Sequence, residues 1–402
     1  MPEFPTRFRE AEQRSRRMGR TLRVVARVHE LDEDLMRRLG QGFMRSDEIG
    51  ARLAEAIRRP PHDPDRVPRA SVRQALADGL ASLDSPEPAL MDFFESVATD
   101  PAWLDRDLLE RGAQVYHRFG RNAADVLLQL ALVGGYRFGG PTDLLVATGG
   151  LTGDMTRRRL GETQKWAATL SRPGALLPGG EAWRLTLHVR VMHALVNDTF
   201  VRRGRWDVER WGLPINQTDQ AATLGLFDGV ALLGVRALGV PVSRRDSDAV
   251  MHLWRYVGWL MGVDDDFLVE DESQRHRLNY HLLLAQADLT DAGPQLARAV
   301  VDLQPHLFDG PGAGLRGRYE RERVLSMLTV FLGSRSMREL GLPRRPPWAF
   351  VSAVTRNTVR YRLLGRGERG GARLDRWGDR VIDDTMRRYF GTDRPSVAPL
   401  AP

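Results

Sequence analysis

The sequence predicts an all-α fold, organised as a single large helical domain. Three observations support this: apolar residues recur at helical spacing along most of the chain, no strand-like alternation of apolar and polar residues lasts more than a few positions, and clusters of glycine and proline separate the apolar stretches. With 402 residues, 42% of them hydrophobic, the chain can bury a substantial core.

The composition excludes several kinds of site. Without cysteine, the chain has no disulfide, thiolate nucleophile, zinc–cysteine site or cysteine-ligated iron–sulfur cluster. Its net charge of +7 comes from arginines interleaved with acidic residues, with Lys165 as the single lysine. Nucleic-acid binders concentrate their positive charge, so no nucleic-acid partner is expected.

No targeting or membrane segment is expected either. The apolar run from Leu22 to Val28 is interrupted by arginines, which argues against a signal peptide. The longest apolar region, Ala221 to Val240, contains Asp228 and Arg236, which argues against a membrane span. These features predict a cytoplasmic protein.

The first third of the chain is predicted to hold short helices. Residues 1–68 are polar and arginine-rich and end in a proline cluster, so they are expected to form an N-terminal extension of one or two short helices and a linker. Ser71 is a suitable N-cap for a helix. Further helices are expected at 89–98 and from Asp100-Pro101 onward, since proline suits a first helical turn.

The middle of the chain predicts a buried helix and then a helix pair. Residues 123–136 are mostly apolar, which indicates a central helix, and a short helix at 144–148 follows with Thr142 or Asp143 as its cap. Residues 154–203 then read as two helices separated by a Gly/Pro-rich break at 173–180. Two facing helices of this kind have room for a ligand between them.

The C-terminal half is predicted to be helical to its end. Residues 206–220 are expected to be a loop, the polar run 365–371 is expected to precede a last helix at 374–389, and residues 391–402 are expected to be a loose tail. The main helical domain is therefore assigned to residues 69–390. Its other helices are expected at about 221–238, 246–261, 278–287, 294–303, 320–332 and 348–364.

Two histidines in the second helix of the pair are candidate metal ligands. His188 and His193 are five residues apart, or about 140° around a helix, so they cannot bind one metal together. His193 shares an apolar face with Val189 and Val196, which suits either a haem plane or an ordinary core histidine.

Polar residues of the first helix are candidates for an adjacent pocket. Arg159 and Thr163 lie on one helix face and can donate hydrogen bonds to a bound oxygen or a developing anion, although Arg159 can equally pair with a surface carboxylate. Asp143, sixteen residues before Arg159, reads locally as a helix cap.

The chain resembles the latex-clearing protein (rubber oxygenase) family, together with the MpaB-type oxygenases. The resemblance covers roughly residues 100–265 and depends on motifs that follow one another in the family's order. They are Asp100-Pro101-Ala102-Trp103-Leu104-Asp105, Thr148-Gly149-Gly150-Leu151, Arg159-Leu160-Gly161-Glu162-Thr163, Val189-Arg190-Val191-Met192-His193-Ala194, Trp211-Gly212-Leu213-Pro214-Ile215-Asn216-Gln217, and Trp254-Arg255-Tyr256-Val257-Gly258 through Gly262.

The resemblance implies a b-type haem in a globin-like helical core. The histidine of the Met-His-Ala motif is the family's proximal haem ligand, which implies that role for His193. Arg159 and Thr163 fall on the arginine and threonine of the distal pocket, and Asp143 lies near the position of a glutamate assigned as a base. Arg190 or Arg255 are candidate partners for the haem propionates.

One departure from the family bears on the substrate. Rubber-cleaving members carry a lysine just before the threonine, and this chain has Glu162 there. A carboxylate is a poor substitute for a neutral amine ligand, so a small lipophilic substrate is expected rather than polyisoprene. The resemblance therefore implies a haem b oxygenase that uses O₂ for alkene cleavage or oxygen insertion; the alternatives are a haem-binding oxygen carrier or sensor and a haem-free helical scaffold.

Overall fold

The structure, a computed structural model, describes residues 3–149 and 153–391. Within these two ranges all regular secondary structure is helical, which confirms the predicted class. Most of the predicted loose tail, residues 392–402, lies outside the described residues. The chain opens with four helices rather than the one or two expected: α1 (Glu12–Met18), α2 (Arg20–Val25), α3 (Glu33–Gly42) and α4 (Glu48–Arg58).

The next helices begin at different residues from those predicted. The proposed cap Ser71 lies inside a helix that begins at Arg69. The helix expected to open at Asp100-Pro101 begins only at Arg106, because the Asp105 side chain accepts a hydrogen bond from the Leu108 N–H and so caps that end. The elements are α5 (Arg69–Asp78), α6 (Pro88–Glu95), α7 (Arg106–Phe119) and α8 (Arg121–Val126).

The predicted central helix is not regular. Its middle, Leu127–Leu132, is π-helical and leads into α9 (Val133–Gly135). A second π-helical segment, Leu226–Val230, interrupts a later helix in the same way. Single π-helical turns are rare and occur mostly at functional sites.

The predicted helix pair is present. After α10 (Pro141–Ala147), the pair consists of α11 (Gly153–Leu170) and α12 (Glu181–Arg202). Ten residues, 171–180, connect the two helices. A connection this short makes them run in opposite directions.

The remaining chain is helical, with two differences from expectation. Residues 206–220 contain a short helix instead of a plain loop, and the last helix already includes most of the polar run 365–371. A third π-helical segment, Thr358–Leu364, precedes that last helix. The helices are α13 (Val208–Trp211), α14 (Gln217–Gly225), α15 (Ala231–Ala237), α16 (Arg244–Leu260), α17 (Glu272–Ala285), α18 (Ala292–Leu303), α19 (Ala313–Glu339, kinked at Gly333), α20 (Trp348–Asn357) and α21 (Gly367–Phe390).

The N-terminal helices belong to the main core. Met36, Leu39 and Leu53 lie in the same buried apolar cluster as Trp254 of α16. Arg7, 1% exposed, pairs with Asp219 at the start of α14 and so ties the N-terminus to the interior. The fold is thus a single helical domain, and no helix in the described ranges is both long and apolar enough to span a membrane.

Close packing of α7 on α16 predicts the effect of one substitution. A Cβ at Gly112 would lie 2.2 Å from the backbone oxygen of Ala249, so Gly112→Ala is expected to lower the free energy of unfolding by about 1–3 kcal/mol, measured by chemical denaturation. Gly314→Ala is the matched control, because a Cβ there meets no atom within 4 Å and alanine favours the helix by up to about 1 kcal/mol. Equal effects of the two substitutions would contradict the prediction.

Candidate active site

The register of α11 against α12 sets which of the candidate residues face each other. The indole N–H of Trp166 donates a hydrogen bond to the Thr186 hydroxyl, 3.0 Å away. Seven residues back along α11 is Arg159, and seven residues onward along antiparallel α12 is His193. At 1.5 Å per residue, both residues lie about 10 Å beyond the contact. Arg159 and His193 are therefore equally far along their helices from this contact.

The two faces of α12 differ in how completely they are covered. Its buried face packs on α4, α5 and α16. Its other face carries a stripe of apolar side chains at helical spacing, and these side chains are only partly buried. They are Leu185, Val189, Met192 and Val196. His193 adjoins this stripe, in agreement with the sequence prediction.

The imidazole of His193 is mostly buried and neutral. Its Nδ1 atom is buried and has no hydrogen-bond partner among the described residues. Burial lowers the pKa of His193 to about 4, and the carboxylate of Asp47 opposes that shift only in part. The ring is therefore neutral at neutral pH, which is the protonation state that binds a metal.

A small polar cavity of about 10 Å³ lies beside His193. Asp47, Arg190, Asn197 and Gln220 are among the residues that line it. Asp47 occupies the N-cap position of α4 but makes no capping hydrogen bond, because Arg190 binds its carboxylate from two sides, with Nε–Oδ2 at 2.6 Å and Nη2–Oδ1 at 2.8 Å. Nothing in the local sequence marks Asp47, whose partner is 143 residues away.

Gly262, just after the end of α16, packs against the ion pair of Asp47 and Arg190. Gly262 has a φ of +75°, and a Cβ on it would lie 2.6 Å from Cγ of Asp47 and 2.8 Å from Nε of Arg190. The Gln217 side chain donates to the Gly262 carbonyl at 2.9 Å, which joins the Trp211–Gln217 and Trp254–Gly262 motifs. Glycine is needed here both for the positive φ and for the space.

The two candidate propionate partners already have other contacts. Arg190 is 4% exposed; besides Asp47, its guanidinium reaches the Ser96 hydroxyl and lies 5.0 Å from the centre of the Phe93 ring. Arg255 lies over the Trp103 ring at 4.2 Å and near the Glu270 carboxylate at 3.5 Å. The propionate role stays a prediction for both, and it requires Arg190 to share its guanidinium with a buried ion pair.

Arg159 and Thr163 have different surroundings. Arg159 is half-buried and donates to the Thr148 carbonyl at 3.3 Å, and burial lowers its pKa. The nearby phenol of Tyr136 interacts with it electrostatically. Thr163, one turn further along α11, is exposed. The two side chains share a helix face as predicted; Arg159 forms no ion pair with a carboxylate among the described residues, but the charge of Glu162 opposes the lowering of its pKa.

Asp143 serves as a structural acceptor in this structure. Its Oδ2 atom accepts hydrogen bonds from the Gly140 backbone N–H at 2.9 Å and from the Thr290 hydroxyl at 3.1 Å. It therefore stabilises the N-terminus of α10 from the first turn, rather than from the cap position itself. Both bonds end on the same oxygen, so Oδ1 can still accept a proton.

Glu162 forms an ion pair along α11. Its Oε1 atom accepts a hydrogen bond from Nε of Arg158 at 3.0 Å, in an ion pair along the helix. This contact gives the carboxylate a structural partner at the position where rubber-cleaving relatives carry a lysine.

The π-helical segment Leu226–Val230 packs against α11 through the ring of Phe227. Phe227 stacks on Trp254 with ring centres 4.8 Å apart, and Trp166 meets both rings edge-on. Next to Phe227, Asp228 pairs with Arg275 at 2.7 Å, and both side chains are fully buried. The sequence pattern gave no sign of this buried pair.

Comparisons with known proteins agree with the sequence resemblance. A family model described as "ER-bound oxygenase mpaB/B'/Rubber oxygenase, catalytic domain" matches residues 117–363. That range contains Asp143, Arg159, Thr163 and His193 but not Asp47. The matched range begins after the first motif, which lies at residues 100–105. It ends about 100 residues beyond the last motif.

A curated relative and a solved structure are similar to the chain. The rubber oxygenase of Streptomyces sp. (strain K30) is 23% identical over 256 residues, which cover 62% of this chain and 60% of that protein. The match thus spans about 60% of the relative's length. A structure of latex clearing protein LCP in the closed state has a TM-score of 0.65 and 19% identity, covers 85% of this chain and 91% of its own, and shows that the fold is shared.

Proposed function

Because the chain belongs to the family of ER-bound oxygenase mpaB/B' and rubber oxygenase catalytic domains, we propose that it is an oxygenase that uses haem b and O₂ to oxidise a small lipophilic substrate. The observation that supports the proposal is the contact of Trp166 on α11 with Thr186 on α12: His193 and Arg159 each lie seven residues from it, and His193 adjoins a partly covered apolar stripe. This arrangement provides a ligand on one helix and a polar donor on the other.

The residues present fit a haem. His193 offers a neutral imidazole whose buried Nδ1 has no protein partner, and the neighbouring Val189, Met192 and Val196 provide an apolar surface for a macrocycle. When bound through His193, the haem would supply an iron that can bind O₂. The chain has no cysteine to compete for this role.

Asp47 is proposed to orient the imidazole of His193, the proposed haem ligand. The cavity between Asp47 and His193 holds about 10 Å³, enough for one water molecule with several polar neighbours. Such a bridge would fix the plane and tautomer of the imidazole, as second partners of metal-bound histidines commonly do. Arg190 binds both carboxylate oxygens of Asp47 and so holds this side chain in place.

Arg159 and Thr163 are proposed to donate hydrogen bonds on the opposite side of the pocket. A half-buried donor such as Arg159 stabilises developing negative charge more strongly than it would in water. Asp143 is proposed as the proton acceptor, through Oδ1, for a proton leaving the substrate. Its distance from the reacting atoms depends on the substrate.

The substrate is proposed to be small and lipophilic. The partly covered stripe on α12 is apolar, and apolar pockets with few polar groups bind such molecules. Glu162, paired with Arg158, replaces the lysine of rubber-cleaving relatives, so polyisoprene is not the proposed substrate.

Product analysis tests the proposal. Purified protein that contains haem is incubated with isoprenoid alkenes and isotopically labelled O₂, and products are identified by mass spectrometry. Labelled oxygen in a product supports an oxygenase, and the number of labelled atoms distinguishes insertion of one atom from cleavage with two. Reversible O₂ binding without any labelled product would favour an oxygen carrier or sensor instead.

Arg159 is expected to have a large effect on turnover. Arg159→Leu removes a half-buried donor from the pocket, so the turnover number should fall by about 10²–10³ while haem content stays unchanged. Steady-state O₂ consumption measures the effect. Arg158→Leu is the matched control, because Arg158 is exposed on the same helix and pairs with Glu162. Equal turnover in the two variants would remove Arg159 from the mechanism.

A further inference from the structure

A second, larger cavity lies on the other side of α11. It holds about 350 Å³ between α8, α19, α20 and α21, and Gln164 of α11 contributes to its wall. On this side of α11, a Cβ on Gly161 would lie 3.1 Å from side-chain atoms of Tyr389 and Phe390 of α21. Arg159 and Gln164 are five residues apart, or about 140° around the helix. The cavity is therefore separate from the proposed active site.

The floor of this cavity is a neutral network of four charged side chains, three of them buried and Arg121 partly exposed. Arg323 binds both oxygens of Asp125, at 2.8 and 2.5 Å, and also Oε1 of Glu320 at 2.8 Å. Arg121 binds both oxygens of Glu320, at 2.6 and 2.7 Å. Two arginines and two carboxylates thus satisfy one another, and they form a rigid polar base without spare charge.

Two half-buried arginines above this floor have no carboxylate partner among the described residues. Arg388 makes no side-chain hydrogen bond there, and its guanidinium lies 5.0 Å from the centre of the Phe308 ring. Arg360 lies 3.9 Å over the Trp377 ring and donates only to the Asn357 amide oxygen, at 3.3 Å. Burial lowers the pKa of both guanidinium groups. The carboxylates of Glu320 and Asp384 oppose this shift for Arg388 only in part, and a partly desolvated cation that forms no ion pair favours an added anion.

The charge of the whole lining agrees with this. Five arginines line the cavity against three carboxylates, Asp125, Glu320 and Asp384, which leaves a net charge of +2. Asp384 is moreover bound to Arg387, which is not part of the lining. The aromatic side chains of Trp377, Tyr319 and Tyr389 complete the wall and suit a flat apolar group.

From this geometry we propose that the cavity binds a small organic anion, a carboxylate with an aromatic or other flat apolar body, with Arg360 and Arg388 pairing its charge. Guanidinium groups bind carboxylates through charge-assisted hydrogen bonds. The volume lies at the lower end of the range for small-molecule pockets. The proposal does not depend on the haem or on the oxygenase reaction.

Calorimetric titration of the purified full chain tests the site. The probes are benzoate and naphthoate, the matched neutral alcohols, and inorganic phosphate. Naphthoate is expected to bind at one site per chain, more tightly than benzoate and at least about tenfold more tightly than its alcohol, because only the anion pairs with the arginines. Binding of the alcohol as tight as that of the acid, tighter binding of phosphate than of naphthoate, or no binding of either acid would each overturn the proposal.

Substitutions locate the binding. Arg388→Gln and Arg360→Gln should each weaken naphthoate binding about tenfold or more, and Arg388→Lys should retain part of it. Arg37→Gln is the control, since Arg37 is an exposed arginine on α3 paired with Asp34. Circular dichroism establishes that each variant is folded. If a variant is not folded, the titrations of the unsubstituted chain still test the proposal. Equal loss in the control, or no loss in either cavity variant, would place the binding elsewhere and reject the site.

Discussion

Replacement of His193 by alanine is expected to abolish haem binding. The imidazole is neutral, borders the apolar stripe of α12 and is the proposed protein ligand, so its removal would take away the side chain that would hold the haem iron. Purified His193→Ala should lack the Soret absorbance of the parent, and titration of the apoprotein with haemin should show no saturable high-affinity phase.

Two controls separate loss of a ligand from loss of the fold. His188→Ala, on the same helix but about 140° away, should retain haem. His193→Gly with imidazole in the buffer should regain the Soret band, because a free imidazole can occupy the vacated space. Full haem occupancy in His193→Ala would reject His193 as the ligand, while a parent protein that takes up no haem would reject the haem proposal itself.

The largest effect on stability is expected at the buried pair of Asp228 and Arg275. Both side chains are fully buried, Oδ2 lies 2.7 Å from Nε, and Nη1 and Nη2 of Arg275 have no other hydrogen-bond partner among the described residues. Asp228→Leu would leave a guanidinium uncompensated in the core. The free energy of unfolding should fall by about 3–5 kcal/mol, measured by chemical denaturation.

Removal of both charges should reverse most of this loss. Asp228→Leu combined with Arg275→Met replaces an ion pair by apolar side chains, and such replacements are often neutral or stabilising. Asp34→Ala, which breaks the exposed pair with Arg37, should change stability by no more than about 1 kcal/mol. A double variant as unstable as Asp228→Leu alone would show that packing, not the unpaired charge, is the cause.

Much of the helical architecture could be predicted from local pattern alone. Helical spacing of apolar residues located α12 and α16 to within a few residues, because a helix buries one face and its period is a property of the backbone. Boundaries were less accurate: the Asp100-Pro101 start was wrong, since Asp105 is the residue whose side chain caps α7. Helix ends depend on which of several capable residues bonds a free N–H.

The residues of the candidate site were likewise predicted only in part from the sequence. His193, Arg159 and Thr163 were identified from residue types and motif order, and their roles remain predictions. Only the tertiary structure showed that Asp47 and His193 line the same small cavity and that Arg190 is bound to Asp47. It also showed that Oδ2 of Asp143 is engaged by Gly140 and Thr290.

The sequence by itself determined the helical class, the pairing of α11 with α12 and the side of each helix on which the candidate residues lie. These follow from spacings within one element and from a short connection. Only the tertiary structure decided the partners of Asp47 and Asp228, the irregularity of the Leu226–Val230 segment and the inclusion of α1 to α4 in the core. Such features depend on contacts between distant parts of the chain, because a buried charge or an unpaired backbone group is satisfied by whatever neighbour the packing brings to it.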